Sequence, residues 1–154
     1  MTEEYEDLPQ PTITRGHELE DETYIEGVRK VVTEMASGGQ VVLVGQGAHI
    51  LLRGSPEVLR VGVAARMEDR ITTIMERERV DREQAGKTVI ARDKARAYHF
   101  KRFFGIDQPD APDLYHLVIN FSDVSPDYAT EVVVQACAAI EDGRLVNREM
   151  AATH

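Results

Sequence analysis

Three short apolar runs separated by helix-length segments are the feature that most limits the fold of this chain. They span residues 41–44, 58–64 and 115–120, and each contains β-branched side chains. Short continuous runs of this kind are typical of strands that are buried on both faces of a parallel sheet. Because segments with helical periodicity lie between them, the sequence predicts an α/β domain with a parallel sheet.

Apolar residues at three-, four- and seven-residue intervals predict amphipathic helices around these strands. Ile25, Val28 and Val32 show this spacing in the first helix. Ser125 is the expected N-cap of the last helix, with Pro126 at its first helical position. The predicted helices span residues 22–36, 68–79, 82–104 and 126–140, with a short one at 48–53.

The composition indicates one domain with short extensions. The chain has 154 residues, 42% of them apolar, which is enough to bury a core. We predict an acidic flexible arm at residues 1–21, the α/β domain at residues 22–142 and a tail at residues 143–154. One cysteine, no membrane-length apolar run and an acidic N-terminus together predict a cytoplasmic protein with no membrane partner.

The net charge of −9 is unevenly distributed along the chain. Residues 1–36 carry ten acidic side chains against three basic ones, whereas residues 87–102 carry six basic side chains against one acidic. A basic patch on an acidic protein can attract a small anion without attracting nucleic acid in general. The common alternative is a solvated helix face.

Two glycine-containing motifs raise the question of nucleotide binding. Gly45-Gln46-Gly47 follows the first apolar run directly, where glycines let the backbone approach a ligand at the carboxyl end of a strand. The alternative is a strand-to-helix turn that needs glycine for its backbone angles. The triplet at residues 86–88, Gly-Lys-Thr, imitates the end of a P-loop, but Asp81 stands where the pattern needs glycine, so we reject it.

Arg92, Asp93 and Arg96 give the clearest chemical signal. The two arginines lie one turn apart on a predicted helix, where paired guanidinium groups suit the capture of phosphate oxygens. Asp93 could orient Arg96 or accept a hydrogen bond from a ligand. The alternative is an ordinary surface ion-pair helix. The five histidines show no metal-ligand spacing, so neither a metal site nor a catalytic residue is assigned.

The order of the motifs resembles the cytidylate-kinase-like family of P-loop nucleoside monophosphate kinases. The resemblance covers residues 24–142 and includes Val-Leu-Val-Gly-Gln-Gly-Ala, Ala-Ala-Arg-Met-Glu-Asp-Arg-Ile and Arg-Asp-Lys-Ala-Arg-Ala-Tyr. It implies a three-layer α/β fold with a parallel sheet, of the P-loop-kinase type. We expect this fold to be incomplete, because the family's first strand, P-loop and first helix have no counterpart in the sequence.

The resemblance also implies roles for individual residues. The turn after the strand reads Gly-Arg-Gly in the family, and its arginine contacts the nucleoside monophosphate, whereas Gln46 stands here without a charge. Asp93 and Arg96 match the family's Asp-Lys-x-Arg contact with the acceptor nucleotide. Arg70 and Arg77 match the phosphate-contacting and lid region. The expected substrate-binding residues are Gly45, Gln46, Gly47, Arg92, Asp93 and Arg96.

Three hypotheses follow for the function. The first is a degenerate or truncated family member that binds CMP or dCMP weakly, with no certain cofactor. The second is an active kinase whose P-loop lies upstream or on a partner chain, which would then bring ATP and magnesium. The third is a non-catalytic interaction module on the same scaffold. Homo- or hetero-oligomers fit each of them, and no nucleic-acid partner is expected.

Overall fold

A computed structural model describes residues 15–45 and 47–145, with side chains described from residue 21 onward. Its elements confirm the predicted α/β class. In chain order they are α1 (Arg15–Ser37), α2 (Ala48–Leu51), β1 (Val61–Ala64), α3 (Met67–Glu78), α4 (Arg82–Phe104), a 3-10 helix (Pro112–Leu114), β2 (Leu117–Asn120) and α5 (Pro126–Glu141).

Helix α4 has 23 residues, and its ends lie where the sequence predicts them. The Asp81 carboxylate accepts a hydrogen bond from the backbone N–H of Gln84 at 2.8 Å and so caps the first turn. At the other end Gly105 adopts a left-handed conformation, with φ of 66°, and donates to the carbonyl of Lys101. Both ends are therefore fixed by local side-chain and backbone chemistry.

The seam between α3 and α4 is the main buried apolar cluster of the described residues. Ile74 of α3 meets Ala85 and Val89 of α4, which are 0% and 2% exposed. Partly buried Ile71 and Met75 extend the seam along α3. The small side chain of Ala85 lets the two helices approach closely, so this contact sets how α4 lies on the rest of the fold.

Strands β1 and β2 pair in parallel, as predicted, but each is shorter than the predicted range (residues 58–64 and 115–120) and is only partly buried. The register places Val61 opposite Leu117 and Ala64 opposite Asn120. The connection between them contains α3 and α4, which is the long crossover that a parallel pair requires. The described residues form a two-stranded sheet, and the ring of Tyr115 packs against Gly62, where an added Cβ would lie 3.2 Å from the ring.

The strand predicted at residues 41–44 is wrong. This segment has no strand assignment and does not join the sheet, and Val42 and Val44 are 88% and 95% exposed. An apolar run becomes a strand only where it pairs with another backbone, and residues 41–44 pair with neither β1 nor β2. Composition alone could not show this, because it does not report the partner.

Helix α1 begins at Arg15, inside the segment predicted to be a flexible arm. The Asp21 carboxylate accepts two hydrogen bonds from the Arg102 guanidinium at 2.7 and 2.8 Å, which ties the first part of α1 to the end of α4. This bidentate pair gives the early turns of α1 a tertiary partner that the sequence pattern does not show. The rest of the arm, residues 1–14, and most of the tail, residues 146–154, lie outside the described residues.

Helix α5 confirms the prediction for the last helix. Its N-cap Ser125 accepts a hydrogen bond from the backbone N–H of Tyr128 at 3.3 Å, and Pro126 occupies the first helical position. The helix ends at Glu141 rather than at residue 140.

The α3–α4 seam can be tested by truncating Ile74, which is 8% exposed. Ile74→Ala should lower the free energy of unfolding by about 2–5 kcal/mol, because it leaves a cavity between the helices. Ile90→Ala is the matched control: Ile90 lies on α4 and is 48% exposed, so a change within about 0.5 kcal/mol is expected. Urea denaturation gives both values. Equal losses of stability in the two variants would contradict the importance of the α3–α4 seam.

Candidate functional site

Asp93 of α4 is engaged by Arg70 of α3. Its two carboxylate oxygens accept hydrogen bonds from Arg70 at 2.9 and 2.5 Å, so the pair is bidentate. The hydrogen bond to Asp93 raises the pKa of Arg70 above its already high ordinary value. The sequence prediction that Asp93 orients Arg96 is therefore corrected, because Asp93 instead orients Arg70 across the helix seam.

Arg92 and Arg96 lie on one helix but do not converge on one another. Arg92 pairs with Glu78 at the end of α3, at 2.8 Å, whereas Arg96 pairs with Asp110 in the loop after α4. The two guanidinium groups hold different carboxylates on different elements. In this arrangement the two arginines are therefore not positioned to bind one phosphate together, as was predicted for them.

Arg96 lies in the more enclosed of these environments. Its Nη2 forms an ion pair with Asp110 at 2.8 Å and donates to the Tyr115 hydroxyl at 3.4 Å, and its guanidinium lies 4.7 Å from the centroid of the Phe100 ring. Phe100 itself is fully buried. Tyr115 is held in turn by donating its hydroxyl hydrogen to the carbonyl of Pro109 at 2.9 Å. The side chains of Phe100 and Tyr115 thus fix the position of Arg96.

The glycine turn packs on the far end of α4. Gly47 is buried with φ of 105°, and an added Cβ would lie 2.3 Å from Cζ of Phe104. Only glycine fits this position, both for its backbone angle and for space, which favours the structural reading of this glycine. Gly45 is exposed, and Gln46 lies outside the described residues.

His49 joins this turn to Arg96, and the sequence analysis did not single it out as a site residue. Its ring stacks on Tyr115, with centroids 4.7 Å apart, and lies 5.5 Å from the centroid of Phe100. Burial lowers the pKa of His49, and the nearby charges of Arg96 and Arg60 lower it further, against an opposing effect of Asp110. In the sequence, the position of His49 two residues after Gly47 could have identified it as a candidate site residue.

The Arg96 cluster lies near the start of β2, since Tyr115 precedes that strand. Arg96 therefore does not lie at the carboxyl ends of these strands, which is where the sequence predicts a ligand at the glycine turn. At the carboxyl ends the backbone N–H of Arg66 donates to Ser122 at 2.7 Å, and Arg66 also forms an ion pair with Asp123. This second polar cluster joins the segments that follow β1 and β2.

The remaining candidates occupy the outer surface of α3 and α4. Arg77 is exposed and lies 3.8 Å from Glu78. Residues 86–88, the Gly-Lys-Thr triplet, lie inside α4, where the Lys87 ammonium pairs with Glu83 at 2.7 Å. The rejection of this triplet as a P-loop is confirmed, because a helix interior has no free backbone N–H groups to cradle phosphate.

Neither a metal cluster nor a membrane span is found in the part of the chain that the structure describes. No group of three or more His, Cys, Asp or Glu side chains there could hold a metal ion. None of the helices within residues 15–45 and 47–145 combines the length and the apolar content needed to cross a bilayer.

Comparison with known proteins agrees with the motif pattern. The sequence profile of the Cytidylate kinase-like family matches residues 2–123, which is most of the chain. The chain belongs to the cytidylate kinase-like family. One relative is a cytidylate kinase of Methanopyrus kandleri, which is 29% identical over 111 residues. The resemblance to the family predicted from the motifs is thus confirmed.

The extent of these matches is also informative. The alignment with the Methanopyrus kandleri protein covers 67% of this chain and 57% of the relative, so the chain spans little more than half of that relative's length. No solved structure matches the chain. Family membership therefore applies to this chain, whereas the activity of a whole family member does not follow from it.

Three partly buried histidines predict a pH dependence of stability. Burial lowers the pKa of His49, His99 and His116, so the unfolded chain binds protons at these imidazoles more readily than the folded chain. The free energy of unfolding should be constant above about pH 7 and should fall as the pH drops below about 6.5. Urea midpoints between about pH 7.5 and 5.5 measure this.

The same titration has an internal check. His49→Phe keeps an aromatic ring beside Tyr115 and Phe100 but removes one titrating group, so the pH dependence should become shallower. A midpoint that rises on acidification across this range would contradict the direction of all three pKa changes.

Proposed function

We propose that this chain is a nucleotide-binding member of the cytidylate kinase-like family that binds CMP or dCMP weakly and does not transfer phosphate by itself. The observation that supports this most directly is the family's Asp-Lys-x-Arg motif on α4. Asp93 holds Arg70 in a bidentate pair, and Arg96 is held over the ring of Phe100, near the glycine turn. Cationic side chains in fixed positions suit a phosphate monoester.

The internal ion pairs explain why the binding is expected to be weak. Arg70, Arg92 and Arg96 are each already paired with a carboxylate of the same chain. An incoming phosphate must compete with these carboxylates or use the remaining N–H groups. Two charge-assisted contacts between guanidinium groups and the phosphate contribute roughly 1.5–3 kcal/mol each. Set against the cost of association, they give a dissociation constant on the order of millimolar to high micromolar.

Calorimetric titration of the chain with CMP tests this proposal. Weak binding that weakens further with added salt is expected, because the attraction is between a phosphate and guanidinium groups. Arg96→Ala should abolish it, and Gln46→Arg should strengthen it by restoring the charge that the family carries at this turn. Arg29→Ala, which removes the same charge from α1, is the matched control and should leave the binding unchanged.

Two outcomes would count against nucleotide binding. The first is no heat or chemical-shift change at millimolar CMP, and the second is equal losses in Arg96→Ala and Arg29→Ala, which would indicate a general charge effect. Either would favour the interaction-module hypothesis.

The active-kinase hypothesis requires a phosphate-cradling loop that these 154 residues do not contain as a P-loop pattern. Phosphoryl transfer depends almost entirely on positioning and charge stabilisation, and a P-loop supplies much of both. ATP and magnesium belong to this hypothesis only if another segment or chain supplies that loop.

We therefore predict no ATP-dependent phosphorylation of CMP, dCMP or UMP by the isolated chain. A coupled assay with repurified protein measures this. Turnover above the buffer blank that Asp93→Ala abolishes would contradict the prediction and favour an active kinase instead.

One observation favours the interaction-module hypothesis. Val42 and Val44 are almost fully exposed, and Val63 and Val118 of the two-stranded sheet are also exposed. Apolar surface of this kind commonly marks a contact with another protein. Such a contact is compatible with nucleotide binding at α4, because the exposed valines lie on other elements.

A further inference from the structure

Two buried polar atoms in the site have no hydrogen-bond partner among the described residues. They are Nε2 of His49 and Nη1 of Arg96. Both side chains contact the same two rings: His49 stacks on Tyr115 and packs on Phe100, while Arg96 lies over Phe100 and donates to the Tyr115 hydroxyl. The two unpartnered atoms thus belong to neighbouring side chains of one cluster, which is formed by His49, Arg96, Phe100 and Tyr115.

Two neighbouring buried polar atoms without partners indicate that a further group, absent from the chain itself, forms hydrogen bonds with them. Buried side-chain N–H groups almost always have a partner, which can be protein, ordered water, an ion or a ligand. The nitrogens of arginine only donate, so the atom that satisfies Nη1 must be an acceptor. A neutral imidazole can carry its hydrogen on Nε2 and donate to the same acceptor.

The charges around His49 favour an anionic acceptor. Arg96 and Arg60 both act on its imidazole as positive charges, and Asp110 is the opposing carboxylate. The side chain of Asp110 is 78% exposed and already forms an ion pair with the other terminal nitrogen of Arg96. Arg60 is held near this cluster, because its Nε donates to the carbonyl of Leu114, the residue before Tyr115, at 3.1 Å. The surroundings of His49 therefore carry more positive than negative charge.

We propose that Nε2 of His49 and Nη1 of Arg96 together bind one oxygen of a phosphate group, with Asp110 keeping the other terminal nitrogen of Arg96. This inference deepens the proposed function and rests on it for the identity of the ligand as a nucleoside monophosphate. His49 is then a ligand-contacting residue, and the phosphate is seated between α2 and α4. Asp110 need not leave for the phosphate to bind.

The first test uses the unmodified chain and two probes, inorganic phosphate and CMP. Titration of each probe at about pH 7.5, where His49 is neutral, is followed by the ¹⁵N resonances of the histidine side chains. The Nε2 resonance of His49 should shift in a saturable way with either probe, whereas His99 should not. His99 is the internal control, because it packs against Phe103 in the same aromatic cluster but has no unpartnered buried atom.

The second test compares His49→Phe with His99→Phe by calorimetry. Each keeps a ring in place, but only the first removes a contact to the phosphate. His49→Phe should weaken the binding of CMP roughly tenfold, the loss expected for one hydrogen bond, and His99→Phe should change it less than about twofold. His49→Gln, which retains a donor, should fall between them and serves if the Phe variant does not fold.

The outcomes separate this inference from the proposed function. If CMP binds in an Arg96-dependent way but the Nε2 resonance of His49 does not move and His49→Phe binds normally, the inference is overturned, and water is the occupant. If inorganic phosphate shifts His49 while CMP does not bind, the phosphate site stands and the proposed function fails. If neither probe shifts His49 at millimolar concentration, the phosphate site is overturned.

Discussion

The packing of α3 against α4 through Ile74, Ala85 and Val89 is the interaction on which the site depends. It fixes the face of α4 that looks toward α3, and with it the pairing of Arg70 with Asp93 across the two helices. The other half of α4 continues into the aromatic cluster around Phe100, where Arg96 and His49 lie. One apolar seam at the start of the helix thus orients the polar groups that follow along it.

The charges of the site are arranged as internal pairs. Three arginines with predicted ligand contacts, Arg92, Arg70 and Arg96, pair with Glu78, Asp93 and Asp110, so each guanidinium group has a counter-charge within the chain. Such pairs hold the guanidinium groups in position and also reduce the attraction for an anion. In the proposed phosphate site, the external acceptor would bind the buried unpartnered atoms of His49 and Arg96, so that no carboxylate is displaced.

Membership of the cytidylate kinase-like family and the structure bear on different parts of the question. The family match extends over residues 2–123 and supports a role with nucleotides, whereas the chain spans 57% of its Methanopyrus kandleri relative. The two-stranded sheet leaves apolar side chains exposed, including Val63 and Val118. Parallel sheets are normally covered on both faces, so this surface is suited to contact with further protein.

The sequence by itself determined the features that depend on local chemistry. Helix α4 spans Arg82–Phe104 as predicted, because an aspartate cap and a terminal glycine act within one turn of the helix. The Ser125 cap of α5, the parallel pairing of β1 with β2 and the family followed in the same way from spacing and motif order.

Only the tertiary structure decided which groups meet. Residues 41–44 have the composition of a strand but do not pair with β1 or β2. Asp93 faces Arg70, 23 residues away, rather than Arg96 on its own helix, because helix packing and not helical periodicity selects the partner. His49 acquired its place beside Arg96 through stacking on Tyr115. Ion pairs and ring contacts between distant segments depend on how the elements pack, and no local pattern in the sequence records that packing.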